Sequence, residues 1–295
     1  MTAFWLAVAV IALAALVLAV GWWGSGLILY PPKMSAMSVF PEQFGLHYEK
    51  VSFTTADGIL LKGWFLPSPT ADERTVLMCH GWGDNKGKLL EDTHFLNSAG
   101  GFNLFYFDNR SHGESSGDFT TVGCLEILDF RAAMDFLRQS RPQCLRRLGV
   151  FGLSMGAAVA AMAVPEHPEV KAVVLESPFT DYRQVVRRWA WNNLRLPYFP
   201  LMMVVLWMLR RRAGREDVDT FSPRRFISRV SPRPILVISG ADDLLMPPED
   251  VRALHAQARE PKELWMIPGA AHGKCREISA AEYDRRIIEF FAKHL

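Results

Sequence analysis

Six short apolar runs, at residues 75–79, 102–107, 148–151, 170–175, 234–239 and 263–267, recur along the chain with longer amphipathic stretches between them. Runs this brief and this continuous suit parallel strands covered on both faces, because a strand with one wet face would alternate. Residues 126–137 place Ile127, Phe130, Met134 and Leu137 at helical spacing, and residues 281–291 repeat that pattern near the end. Strand and helix in alternation imply a parallel sheet with right-handed crossovers, so the fold class is α/β. Ahead of the first run, residues 51–66 hold two β-rich stretches around Asp57-Gly58, a hairpin signal.

The N-terminus obeys a different rule. No Asp, Glu, Lys or Arg precedes Lys33, and residues 4–20 are almost wholly Ala, Val, Leu and Ile. A helix of about 20 residues crosses a bilayer core of about 30 Å. Trp22, Trp23 and Tyr30 follow, where amphipathic rings favour the headgroup level. A cleaved signal peptide wants a basic start and a small-x-small site, whereas here the start is uncharged and Trp-Trp fills the cleavage zone. Residues 1–30 therefore read as a single-pass membrane anchor, 31–47 as a linker containing Pro31-Pro32 and Pro41, and 48–295 as one α/β domain. Cys79, Cys124, Cys144 and Cys275 show no metal-ligand spacing and no disulfide framework, which leans toward a reducing compartment.

One stretch interrupts the rhythm. More than fifty residues separate the strand ending near Glu176 from the one starting at Pro234, too many for a single crossover helix, so residues 181–230 are expected to form a cap over the sheet's C-terminal edge. Tyr182 to Arg215 contains eight arginines and no Asp or Glu, which against a chain total of +2 leaves −6 for the rest. Within it, residues 196–209 are nearly all apolar and Arg210-Arg211-Arg212 follow at once. As a helix those residues reach about 21 Å, short for a span, so an interfacial or cap helix is expected, its arginines drawn to anionic headgroups. The competing reading is a buried cap helix whose arginines pair with acids of the core. An anionic partner leaflet would put the domain on the cytoplasmic side, while Lys33 alone says little about sidedness.

The chemistry concentrates at Gly152-Leu153-Ser154-Met155-Gly156. G-x-S-x-G arises by chance in about one chain in ten of this length. Here, however, a β run precedes it and a small-residue helix follows, the context of a nucleophile elbow. A serine nucleophile needs a base and an orienting acid, in the chain order Ser, acid, His. After the run 234–239 comes Gly240-Ala241-Asp242-Asp243, and after the run 263–267 comes Gly269-Ala270-Ala271-His272. Both turns leave C-terminal strand ends, where open α/β sheets build their sites. Asp243 is the better placed acid, with Asp242 expected to cap the turn or the next helix. An oxyanion would need two backbone N–H donors, expected from Met155 after the nucleophile and from Trp82 in His80-Gly81-Trp82-Gly83.

His80-Gly-Trp-Gly, Asp108-Asn-Arg-Ser-His-Gly113, Gly152-Leu-Ser-Met-Gly156, Gly240-Ala-Asp-Asp243 and His272-Gly273 occur in that order. Together they resemble the α/β-hydrolase superfamily, nearest its monoacylglycerol-lipase and serine-aminopeptidase-like branch, from about residue 48 to the end. The resemblance implies a triad of Ser154, Asp243 and His272 with Trp82 and Met155 as oxyanion donors. It departs at Asp108-Asn-Arg, where relatives carry Tyr or Leu in the middle, and Asp108 and Arg110 are expected to fix the loop. The expectation is a membrane-anchored serine hydrolase of an acyl ester or thioester, with lipid-like substrates favoured. A peptidase, an amidase, an acyltransferase or a catalytically silent membrane-bound binding protein are the alternatives. No nucleotide-cradling or metal motif is visible, so no cofactor is expected, nor nucleic acid or an obligate protein partner.

Overall fold

The computed structural model describes residues 1–30, 37–215 and 217–295; Pro31-Pro32 and Lys33 of the expected linker lie outside them. An apolar helix, α1 (Thr2–Leu29), comes first and is long and apolar enough to cross a bilayer. An eight-stranded sheet follows in the order β1-β2-β4-β3-β5-β6-β7-β8. The hairpin around Asp57-Gly58 supplies β1 (Glu49–Thr54) and β2 (Leu60–Leu66), antiparallel to each other, with β2 also antiparallel to β4. The six apolar runs form β3 (Thr75–Cys79), β4 (Asn103–Phe107), β5 (Leu148–Leu153), β6 (Val170–Glu176), β7 (Ile235–Gly240) and β8 (Lys262–Ile267), all mutually parallel. β3 to β7 sit inside the sheet and are buried almost throughout, which is why their sequences do not alternate.

Helices cover both faces. On one side α2 (Lys86–Thr93), the short α3 (Phe95–Ser98) and the C-terminal helix contribute Leu89, Leu90, Phe95, Tyr283, Ile287 and Phe291 to one apolar layer. On the other, α4 (Glu126–Ser140) and α5 (Met155–Ala163) contribute Phe130, Met134, Leu137, Val159 and Met162. α4 buries Ile127, Phe130, Met134 and Leu137, the side chains its spacing singled out.

Between β6 and β7 lie α6 (Tyr182–Leu194), α7 (Met203–Ala213) and short turns. The single helix expected across 196–209 does not form. Pro197 and Pro200 cannot donate to a helical ladder, Phe199 sits at φ −105°, ψ 134°, and regular helix resumes only at Met203. Of the segment's arginines, Arg188 meets the expectation of pairing with an acid of the core, here on the helix after β7. Arg188 pairs with Asp250 and Arg215 with Asp217, whereas Arg187 and Arg211 stand over the rings of Tyr198 and Trp207. After β7 come α8 (Pro248–Gln257) and, after β8, α9 (Cys275–His294), which starts six residues earlier than the 281–291 periodicity suggested and breaks at Ser279. All four cysteines are buried free thiols.

α1 does not stand apart from this body. Gly21, Gly24, Ser25, Ile28 and Leu29 are buried, at the spacing of one helical face, and that face lies on α7. The glycines set the approach: a Cβ on Gly21 would lie 2.6 Å from Val204 Cγ1, and one on Gly24 2.9 Å from Val205 Cγ2.

The loop after β4 is held by buried charge. Asp108 accepts from the Lys86 backbone N–H (2.7 Å), Lys86 Nζ (2.5 Å) and Glu114 N–H (2.8 Å). Arg110 donates to Asp129 through Nε (2.9 Å) and Nη2 (2.7 Å) and to Asp57 through Nη1 (2.8 Å). Burial lifts the Asp129 carboxyl to about 7 despite Arg110 beside it, so this pair fixes the loop more than it adds net stability. Arg110→Ala is expected to cost about 3–5 kcal/mol, because the buried Asp129 carboxyl would lose its counter-charge and two of its donors. Arg131→Ala, which breaks the exposed pair with Glu166, should cost under about 1 kcal/mol. Urea unfolding of the two variants checks the contrast.

Candidate active site

β5 ends at Leu153 and α5 begins at Met155, which leaves Ser154 alone between strand and helix. Its backbone adopts φ 54°, ψ −111°, a conformation that costs a residue with a side chain of order 1–3 kcal/mol. Hydrogen bonds on both sides hold it there. Ser154 N–H donates to the Glu176 carbonyl of β6 (2.8 Å), and the Ser154 carbonyl accepts from Ala158 N–H (3.0 Å). A Cβ on Gly156 would lie 2.1 Å from the Cys79 carbonyl oxygen, and one on Gly152 2.5 Å from the Gly156 carbonyl, so neither position admits a side chain.

Asp243 leaves the end of β7 and His272 the end of β8, on the same sheet edge as Ser154. His272 Nε2 is 3.0 Å from Ser154 Oγ, and His272 Nδ1 is 2.7 Å from Asp243 Oδ2. The Asp243 carboxyl is fully buried, and its Oδ1 accepts from the N–H groups of Leu245 (2.9 Å) and Met246 (2.7 Å). One oxygen thus fixes the turn while the other fixes the ring. A carboxylate accepting at Nδ1 keeps the proton there and turns the Nε2 lone pair toward the serine hydroxyl. The expectation that Asp242 caps the turn or the next helix is corrected. Asp242 is exposed, Asp243 caps its own turn, and α8 begins without a side-chain cap.

Met155 is the first residue of α5, so its N–H has no carbonyl to meet within the helix. The 80–83 loop lies beside the elbow, a Cβ on Gly81 falling 3.5 Å from Ser154 Cβ. Two histidines, His80 and His112, hold that loop. His80 Nδ1 donates to the Gly81 carbonyl (2.7 Å) while its Nε2 accepts from Asn109 N–H (2.9 Å). His112 Nδ1 donates to the Arg110 carbonyl (2.8 Å) while its Nε2 accepts from Gly83 N–H (3.0 Å). Burial depresses both imidazoles below the usual histidine range and keeps them neutral, as those acceptor roles require. In the sequence they stand within two of the motifs that carry the resemblance, but nothing there gives their hydrogen-bond partners.

The Trp82 side chain goes somewhere the sequence did not suggest. Its Nε1 donates to the carbonyl of Ile28 in α1 (3.1 Å), and its ring meets Trp189 of α6 edge-on with centroids 5.6 Å apart. Beside them opens a cavity of about 480 Å³, lined by Ser154, His272, Trp82, Phe179, Val186 and Trp189, together with α1 side chains. Among the described residues lining it, none is acidic.

Residues 70–230 match a family model described as serine aminopeptidase, S33. The chain belongs to this family of α/β hydrolases. The hydrolase is 31% identical to the uncharacterized protein YfhR of Escherichia coli O157:H7 over 230 residues, covering 76% of this chain and 73% of YfhR. It is 25% identical to the α/β hydrolase domain-containing protein WAV2 of Arabidopsis thaliana over 283 residues, covering 90% and 87%. Among solved structures it resembles the Pyrococcus furiosus esterase Pf2001, with a TM-score of 0.76 and 26% identity over 90% of this chain and 98% of that one.

Beneath the elbow of this hydrolase, Glu176 accepts a short hydrogen bond from the Tyr283 hydroxyl, and burial pushes its carboxyl up to about 7. A raised folded-state pKa makes the neutral form the stabilising one. That contribution is whole below the unfolded value of about 4.5 and is lost as pH rises through about 7. Glu176→Gln stays neutral at every pH. The stability of wild type relative to this variant should fall by up to about 3 kcal/mol between pH 4.5 and 8. Paired urea titrations across that range measure it, and a constant difference would contradict the assignment.

Proposed function

We propose that this hydrolase is a serine esterase or thioesterase for apolar acyl substrates, held at a bilayer by α1. The observation that carries the reading is the continuous line from Asp243 through His272 to Ser154 Oγ, ending in an apolar cavity. Ser154 Oγ attacks the acyl carbonyl as His272 Nε2 takes its proton, and Asp243 steadies the imidazolium. The oxygen that gains charge is met by the N–H groups of Met155 and Trp82. The tetrahedral intermediate collapses, the leaving alkoxide or thiolate takes the proton from His272, and Ser154 keeps the acyl group. Water, deprotonated by His272, then releases the acid and restores the serine. The same three groups can cleave an amide. The largely apolar wall of the cavity favours an acyl chain over a charged peptide N-terminus. The likeness to an esterase at 26% identity supports the same side.

The membrane part rests on α1 and on the surface near it. Most residues of α1 from 2 to 20 are exposed, and on the 181–230 segment Phe199 is 74% and Trp207 48% exposed, with Arg187 over the Tyr198 ring and Arg211 over that of Trp207. Exposed aromatics beside arginines suit an anionic headgroup layer, and such a leaflet faces the cytoplasm.

Ser154→Ala should lower kcat/KM for a nitrophenyl butyrate by a factor of about 10⁴ or more with unchanged unfolding behaviour. A variant that keeps wild-type turnover would refute the nucleophile. On wild type, esters should outpace aminoacyl nitroanilides, and the reverse order would move the assignment to peptidase.

A further inference from the structure

α1 is bound to the hydrolase domain at its C-terminal end by polar contacts as well as by its buried face. The last-turn carbonyls of a helix lack intrahelical donors. In α1 the domain supplies them: Ile28 O accepts from Trp82 Nε1 (3.1 Å) and Leu29 O from Thr120 N–H (2.9 Å). Arg212 of α7 donates to the Trp22 carbonyl (2.7 Å) and to Ser25 Oγ (2.9 Å), with its guanidinium over the Trp22 ring at 4.1 Å. This end also reaches the reaction site, because Trp23, Leu27 and Ile28 line the cavity that Ser154 and His272 open into.

The helix thus divides by surroundings. Residues 2–20 are exposed except for the half-buried Val17 and Val20, and at 1.5 Å per residue they rise about 28 Å, close to a bilayer core of about 30 Å. The protein-bound face starts at Gly21, and the exposed indoles of Trp22 and Trp23 fall at that boundary. Trp23 therefore sits at the edge of the bilayer and at the edge of the cavity at once.

We infer that α1 is one wall of the acyl-binding site, and that the substrate is a bilayer-resident amphiphile whose chain passes along Trp23 and Leu27 to reach Ser154. The inference rests on the esterase reading and goes beyond it, since an anchor acting only as a tether could be altered without changing which chain is preferred.

The test uses the full-length protein in lipid nanodiscs and the ratio of kcat/KM for nitrophenyl dodecanoate to that for nitrophenyl acetate, which a change in the folded fraction does not move. Leu27→Trp, which fills the cavity from the anchor side, should lower the ratio at least tenfold. Leu27→Ala should move it by threefold or more, which decides the matter if the tryptophan variant fails to fold. Leu13→Trp, on the bare part of α1, should leave it within twofold of wild type. Ratios at Leu27 that match wild type while both esters turn over would overturn the wall and leave the esterase standing. An equal shift at Leu13 would also overturn it, by showing a general effect of the anchor. Wild type that cleaves neither ester and takes no fluorophosphonate would sink the esterase reading itself, and the wall with it.

Discussion

The site depends on one strained residue. Ser154 holds a positive φ that a side chain disfavours, and it holds it because the chain has no relaxed way to pass from β5 to α5 there. The Glu176 carbonyl pins its N–H, α5 takes its carbonyl, and Gly152 and Gly156 let backbone press against backbone. That geometry lifts the hydroxyl above the sheet edge and leaves the first N–H of α5 beside it. β7 and β8, two and three strands along the sheet from β5, then deliver the other two groups from their own C-terminal ends, so partners far apart in sequence meet within hydrogen-bond distance. The strain is offset by the burial of five central strands.

Much of this was legible in the residues. The six apolar runs fall on six parallel strands because buried strands leave no choice of face. Asp57-Gly58 turns the hairpin, and Ile127, Phe130, Met134 and Leu137 are the buried stripe of α4. The Ser154, Asp243 and His272 positions were readable because each follows a recognisable strand. What failed did so for definite reasons. Hydropathy cannot see that Pro197 and Pro200 divide an apolar segment, which forms a turn and α7 rather than one helix. Nor could it assign His80 and His112, whose work is tertiary: each ring bridges two loops by donating through one nitrogen and accepting through the other.

The role of α1 was hidden for a similar reason. Every residue from 4 to 20 is apolar or small, and a uniformly apolar helix gives no sign of which part packs on the domain. The clue lies in Gly21, Gly24 and Ser25, small residues at spacings that put them on one face. They allow α7 within contact distance, and nearby Trp82 joins α1 to the loop beside Ser154. One side chain thus ties α1 to the candidate oxyanion loop.

The central claim is that Ser154 is a nucleophile activated by His272. Intact-protein and peptide mass spectrometry after brief exposure to a small alkyl fluorophosphonate tests it most directly. One phosphonyl group on the peptide carrying Ser154, gained rapidly by wild type and at least about a hundredfold more slowly by His272→Ala, is the result this account requires. An unmodified Ser154 in folded wild-type protein, or modification that proceeds as fast without His272, would contradict it.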